Sequence, residues 1–101
     1  IIKDEIAIGV YPEPIEEPQI LTAQGADEML NIHGIKASFA LASTPQGGIV
    51  ISARSTGDIN VQVLMEKLGG GGHLTVAAAQ LKGLSLTEAK EQLIKLIEEN
   101  N

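Results

Sequence analysis

The segment Asn60-Val61-Gln62-Val63-Leu64-Met65-Glu66-Lys67-Leu68-Gly69-Gly70-Gly71-Gly72-His73 passes from a strongly patterned helix into four consecutive glycines and a histidine. Val61, Leu64, Met65 and Leu68 fall at i, i+3, i+4 and i+7, the spacing of a buried helical stripe, and Asn60 is a good N-cap type. Gly69 suits the C-terminal cap. One glycine is enough for that role, so Gly70, Gly71, Gly72 and His73 need another reason. Glycine loses more conformational freedom on ordering than any other residue. A run of four therefore reads either as a flexible linker or as a backbone that something must approach closely. In the second case, inward-turned N–H groups form a concave anion site, and His73 adds a donor at its rim.

Upstream, Glu5 to Tyr11 alternates, with Ile6, Ile8 and Val10 on one face, and predicts a strand. The prolines and glutamates of 12–18 predict an exposed connection. A helix is expected from about Leu21 to Ile32, with Ala23, Ala26, Met29 and Leu30 as its apolar stripe and Gly34 beyond its end. Gly25 inside it costs about 1 kcal/mol relative to alanine, and His33 reads as a surface residue. Alternating runs at 35–42 and 48–54, separated by Ser43-Thr44-Pro45-Gln46-Gly47, predict an antiparallel hairpin. In its second strand Ile49, Ile51 and Ala53 share one face; Val50, Ser52 and Arg54 share the other.

Downstream of the glycines, Val76 to Leu81 is small and apolar and is read as a strand. Ser85-Leu86-Thr87-Glu88 has capping-box spacing and opens a final amphipathic helix through Leu93 and Ile97. Glu98 and Glu99 oppose its dipole and predict fraying. The order is β-α-β-β-α-β-α, an α+β fold with helices packed on a small mixed sheet.

At 101 residues and 44% hydrophobic composition, the chain is expected to be one domain with a real core. Starting at Ile1 within a strand-like pattern, it reads as a fragment of something longer. The net charge of −6 argues against a broad nucleic-acid-coating surface, and with only Tyr11 and Phe39 a base-stacking platform is not expected. The absence of cysteine removes disulfides and thiolate metal sites and fits a reducing compartment. Two histidines 40 positions apart leave no convincing metal site, and no Ser/His/Asp arrangement is evident. No apolar run nears the about 18 residues of a membrane span, so no direct membrane contact is expected.

The candidate anion-binding residues are Arg54, the only arginine, with Ser55 beside it, then Asn60, Gly69, Gly70, Gly71, Gly72 and His73. An arginine fork matches a phosphate, and a neighbouring hydroxyl adds a donor; a strand-end arginine paired with a carboxylate is the alternative. A nine-residue helix is about 14 Å long, so Asn60 and the glycines reach one small phosphate only if the loop folds back or the ligand is extended.

Ile51-Ser52-Ala53-Arg54-Ser55, then Ile59-Asn60-Val61, then Gly69-Gly70-Gly71-Gly72-His73 with Ala77-Ala78 after it, resemble the DHH-associated substrate-binding domain of the DHH phosphoesterase superfamily. Residues 60–75 look most like the membrane-anchored cyclic-di-AMP phosphodiesterases of Gram-positive bacteria. Val76 and Ala79 depart from the residues common there. The resemblance implies a preceding Asp-His-His catalytic domain with two Mn2+ ions, and a substrate-holding role here for Arg54, the glycine loop and His73. This fragment would then bind no cofactor, carry no catalytic residue and be inactive alone. The implied ligand is a cyclic dinucleotide or short oligonucleotide. The implied setting is cytoplasmic, with any dimer or membrane anchor belonging to the longer protein. The resemblance also admits a short-oligonucleotide exonuclease or nucleotide bisphosphate phosphatase, and a non-catalytic module like the C-terminal domain of alanyl-tRNA synthetases.

Overall fold

The computed structural model describes residues 5–100. The part of the fragment reading that rests on residues 1–4 lies outside them. The elements are β1 (Ile6–Val10), α1 (Pro18–Leu30), β2 (Ala37–Ser43), β3 (Ile49–Ser55), α2 (Val61–Lys67), β4 (Gly71–Gly72), β5 (Val76–Leu81) and α3 (Leu86–Glu99). They follow the expected order with one addition, the two-residue β4 made by the glycines. The linker reading of those glycines is thereby overturned, because Gly71 and Gly72 pair antiparallel with Ala78 and Ala77.

The sheet order is β1-β2-β3-β5-β4. β1 runs parallel to β2, and every other pair is antiparallel, so the sheet is mixed as expected. The β2–β3 hairpin turns at Thr44, whose Oγ1 accepts from the Gly48 N–H at 2.9 Å. Gly47 supplies the left-handed residue at φ +94°.

Strand alternation sorts the side chains into two layers. Phe39, Leu41, Ile49, Ile51 and Ala53 face α2 and α3, meeting Val61, Leu64, Met65, Ala89 and Leu93 in the main core. Each of the largest of these side chains contributes about 2 kcal/mol by leaving water. The other face carries Ser38, Ala40, Ala42, Val50, Ser52 and Arg54 and packs against α1.

That second layer corrects the reading of α1. The helix begins at Pro18, a residue suited to the first turn because its missing N–H is not needed there. Its fully buried line is Pro18, Thr22 and Ala26, whereas Ala23 is only half-buried. Thr22 could not be read as a buried residue because its burial depends on a partner in β3: its Oγ1 lies 2.7 Å from Ser52 Oγ. Ser38 Oγ likewise donates to the Ala26 carbonyl at 2.6 Å. The small side chains at this interface let helix and sheet approach closely. Gly25 is part of that fit, since a Cβ there would come within 3.0 Å of the Tyr11 hydroxyl.

The predicted capping box at α3 is complete. Ser85 Oγ accepts from the Glu88 N–H at 3.1 Å and Glu88 Oε1 accepts from the Ser85 N–H at 2.8 Å. Ser85→Ala is expected to cost about 1 kcal/mol, read as a lower urea midpoint with an unchanged slope. Away from this helix, Lys36 bridges Glu5 at 3.3 Å and Asp58 at 3.6 Å. The hydrogen bond Lys36 donates to Glu5, then the charges of Glu5 and Asp58, hold its ammonium above the ordinary pKa.

Candidate functional site

α1 does not cover its whole sheet face. It packs on β2 and β3, leaving Val76, Ala78 and Gln80 of β5 exposed; Val76 is 46% exposed. Residues opposite one another in an antiparallel pair project to the same face. The register therefore lays three rows on this open side: Val50 with Gln80, Ser52 with Ala78, and Arg54 with Val76. β4 extends the middle row to Gly71. The result is a cavity of about 350 Å³, with Gln19 and Ala23 of α1 on one wall and Arg54, Gly72 and His73 toward one end.

The four glycines have different reasons for being glycine. Gly69 sits at φ +86° just past α2, donating to the Glu66 carbonyl at 3.0 Å, while the Gly70 N–H reaches the Met65 carbonyl at 2.8 Å. These two bonds make a Schellman ending. A Cβ on Gly70 would overlap the Ala78 carbonyl oxygen, and one on Gly72 (φ +144°) would overlap that of Val76. Close approach to β5 therefore accounts for both. Gly71 differs: a Cβ there would meet nothing within 4 Å and would project on the Ala78 side, over the cavity floor.

Arg54 is held in place. Its Nε donates to Asp27 Oδ1 at 2.8 Å and its Nη1 to the Ala53 carbonyl at 2.9 Å, and its side chain is 14% exposed. The carboxylate pairing weighed in the sequence is thus present, yet it engages Nε rather than the terminal fork. Among the described residues Nη2 makes no hydrogen bond, so donors remain for an anion. His73 is exposed, and its N–H donates to the Val76 carbonyl at 2.7 Å, closing the turn from β4 into β5.

Of the candidate residues, Arg54, Gly71, Gly72 and His73 line this one cavity. Gly69 and Gly70 lie beside it on a separate depression with Ala78, Ala79, Gln80 and Lys82. Ser55 is on the core side of β3, where its Oγ donates to the Ile59 carbonyl at 2.6 Å and accepts from the Gly57 N–H at 2.8 Å. It organises the loop into α2 and is not brought to the cavity. Asn60 caps α2 by accepting from the Val63 N–H at 3.2 Å and lines a different cavity with Ile6, Val63 and Ile97. The loop does fold back along α2, because the Val61 N–H donates to the Leu74 carbonyl at 3.1 Å. Asn60 nevertheless stays on its own cavity and is not brought to the one lined by Arg54 and His73.

Ser52, Gln19, Ala23, Ala78 and Gln80 were not among the candidates. For Ser52 the signal was present, since strand alternation already put it on the Arg54 face. The α1 residues depend on the packing of distant segments. Gln19, Val50 and Gln80 also line an adjoining cavity of about 470 Å³ at the hairpin end, so the two form one trough. Among the described residues no group of three or more His, Cys, Asp or Glu side chains is placed to hold a metal ion.

The family model described as "DHHA1 domain" matches residues 11–100. The cyclic-di-AMP phosphodiesterase GdpP of Bacillus subtilis (strain 168) is 50% identical over 101 residues, covering 98% of this chain. PdeA of Listeria monocytogenes serotype 1/2a (strain 10403S), also a cyclic-di-AMP phosphodiesterase, is 51% identical over 98 residues, covering 97% of this chain. The chain spans 15% of the length of each of these relatives. In fold it is similar to the C-Ala domain of Aquifex aeolicus alanyl-tRNA synthetase, with a TM-score of 0.71 at 17% identity over 93% of this chain and 87% of that one. That likeness is one of fold alone.

Proposed function

Because this chain belongs to the DHHA1 domain family, we propose that it is the substrate-holding domain of a phosphodiesterase that opens cyclic di-AMP to the linear dinucleotide. The observation that carries this reading is the convergence of Arg54, His73 and Gly71–Gly72 on one open cavity. The high identity to two cyclic-di-AMP phosphodiesterases supports the choice of substrate.

In this reading the Arg54 guanidinium, fixed through Nε by Asp27 and through Nη1 by the Ala53 carbonyl, turns its Nη2 donors to a substrate phosphate. His73 donates from the rim. Gly71 keeps the floor low enough for the ligand to lie against the β4–β5 backbone. This chain thereby binds and orients the phosphate. In the same reading two Mn2+ ions belong to an adjoining Asp-His-His domain, as the resemblance implies. The parent protein is anchored in a membrane with this domain on the cytoplasmic side; no described helix is long and apolar enough to cross a membrane.

The test is turnover by the full-length protein of cyclic di-AMP, short RNA and nucleotide bisphosphates side by side. The highest kcat/KM is expected on cyclic di-AMP. A protein that hydrolyses short RNA or bisphosphates but leaves cyclic di-AMP intact would instead belong with the oligonucleotide-degrading enzymes. The 101-residue chain alone is expected to show no turnover with Mn2+. Gly71→Ala supplies a finer check: the added methyl has space in the fold but intrudes on the ligand, so KM is expected to rise about tenfold with the melting temperature unchanged.

A further inference from the structure

The middle of the cavity floor carries a hydroxyl whose direction is fixed. Ser52 is 4% exposed, lines the cavity, and sits 2.7 Å from Thr22 Oγ1. Thr22 Oγ1 is in turn 2.6 Å from the Pro18 carbonyl oxygen, one helical turn back. A carbonyl can only accept, so the single Thr22 proton is committed to Pro18. Thr22 must then accept from Ser52, whose own proton points into the helix. What Ser52 has left for the cavity is lone pairs alone. Its neighbours in the same row, Ala78 and Gly71, carry no polar side-chain atom.

The cavity is therefore polarised along its length. One end offers donors from Arg54 and His73 and suits a phosphate. Ser52 lies two residues along β3 from Arg54, about 7 Å at strand rise, and offers an acceptor only. An ionised phosphate oxygen cannot donate and is disfavoured there, whereas an N–H or O–H of the ligand is taken up.

We propose that Ser52, its proton held by Thr22, is a specificity-determining residue that selects a hydrogen-bond donor of the bound nucleotide, beyond the phosphate held by Arg54. The assignment rests on the nucleotide-binding reading above. Two parts of a nucleotide present such a donor, a ribose hydroxyl and an exocyclic base amine. Gln19 and Gln80 continue the trough past Ser52, and among the described residues their side-chain amides make no hydrogen bond, so room and polar groups remain for the rest of the ligand.

The experiment titrates the full-length protein with linear diadenylate and two analogues, one with 2′-deoxyribose and one with the base amine replaced by hydrogen. The wild type is expected to bind one analogue about tenfold more weakly, the cost of one unmade hydrogen bond, and the affected analogue identifies the group read. Ser52→Ala is expected to bind diadenylate about tenfold more weakly and to lose that discrimination. It leaves Thr22 bonded to Pro18, so the fold persists. Thr22→Val, close in shape, frees the Ser52 proton to turn outward and is expected to erode the same discrimination without touching the ligand. A role confined to packing would change the melting temperature and leave the affinity ratio alone. Equal binding of all three ligands by the wild type, or an unchanged ratio in both variants, overturns the assignment while leaving the nucleotide reading standing. Failure of the wild type to bind any of the three overturns that reading itself.

Discussion

Gly70→Ala is expected to destabilise the fold by about 3 kcal/mol or more, at the upper end of overpacking costs. The added Cβ would overlap the Ala78 carbonyl oxygen and come within 2.7 Å of the Ala79 Cα. Both are backbone atoms of a strand paired on both sides, to β3 and to β4, so they cannot yield. β4 would have to lift away, breaking its pairing and straining the bond from the Gly70 N–H to the Met65 carbonyl. Against a domain stability on the order of 5–15 kcal/mol, that loss would show as a large drop in urea midpoint. Gly71→Ala is the control, because its Cβ meets nothing and its stability should stay within about 0.5 kcal/mol. Equal losses at the two positions would contradict the close-approach explanation.

Arg54→Ala in the full-length protein is expected to lower kcat/KM on cyclic di-AMP about 100-fold, the scale of a lost hydrogen-bonded charge contact. Stability should fall by less than about 1 kcal/mol, because the Asp27 partner is 63% exposed and water replaces the guanidinium there. Arg54→Lys keeps the charge and loses the fork that can hold Asp27 and a phosphate together, so it should recover only a small part of the activity. Circular dichroism and melting curves on both variants separate a binding defect from a folding one. Wild-type turnover by Arg54→Ala would remove Arg54 from the site.

Elements whose burial follows their own periodicity were legible in the sequence. α2 and α3 carry regular apolar stripes with side-chain caps at Asn60 and Ser85, and the hairpin strands alternate cleanly around a turn at 43–47. The face of α1 was only partly legible, because Ala26 of the expected stripe is buried whereas Ala23 is only half-buried. Its buried line also contains Pro18 and Thr22, and the Thr22 hydroxyl is satisfied there by donating to the Pro18 carbonyl and accepting from Ser52 of the distant β3. β4 was hidden for a related reason, since glycines have no side chains to alternate and their strand geometry is set by β5. Among the candidate residues, Arg54 and His73 stood out by residue type and order, and both line one cavity. Proximity in sequence then overreached: Ser55 is next to Arg54 in the chain, yet strand alternation sends its hydroxyl to the opposite side of the sheet. Asn60 was correct as a cap, and it lines a different cavity from Arg54 and His73.

A sheet whose last strand is only Gly71–Gly72 also has little edge to offer another molecule. Exposed strand edges recruit strands from neighbouring chains, and proteins restrain this by keeping such edges short or awkwardly shaped. Here the chain leaves α2 through a left-handed glycine, pairs for two residues and turns away at Gly72 with φ +144°. A second chain would find too few successive N–H and C=O groups in extended register to continue the ladder. The sheet margin beside the cavity can thus stay open to a small ligand while remaining a poor template for self-association.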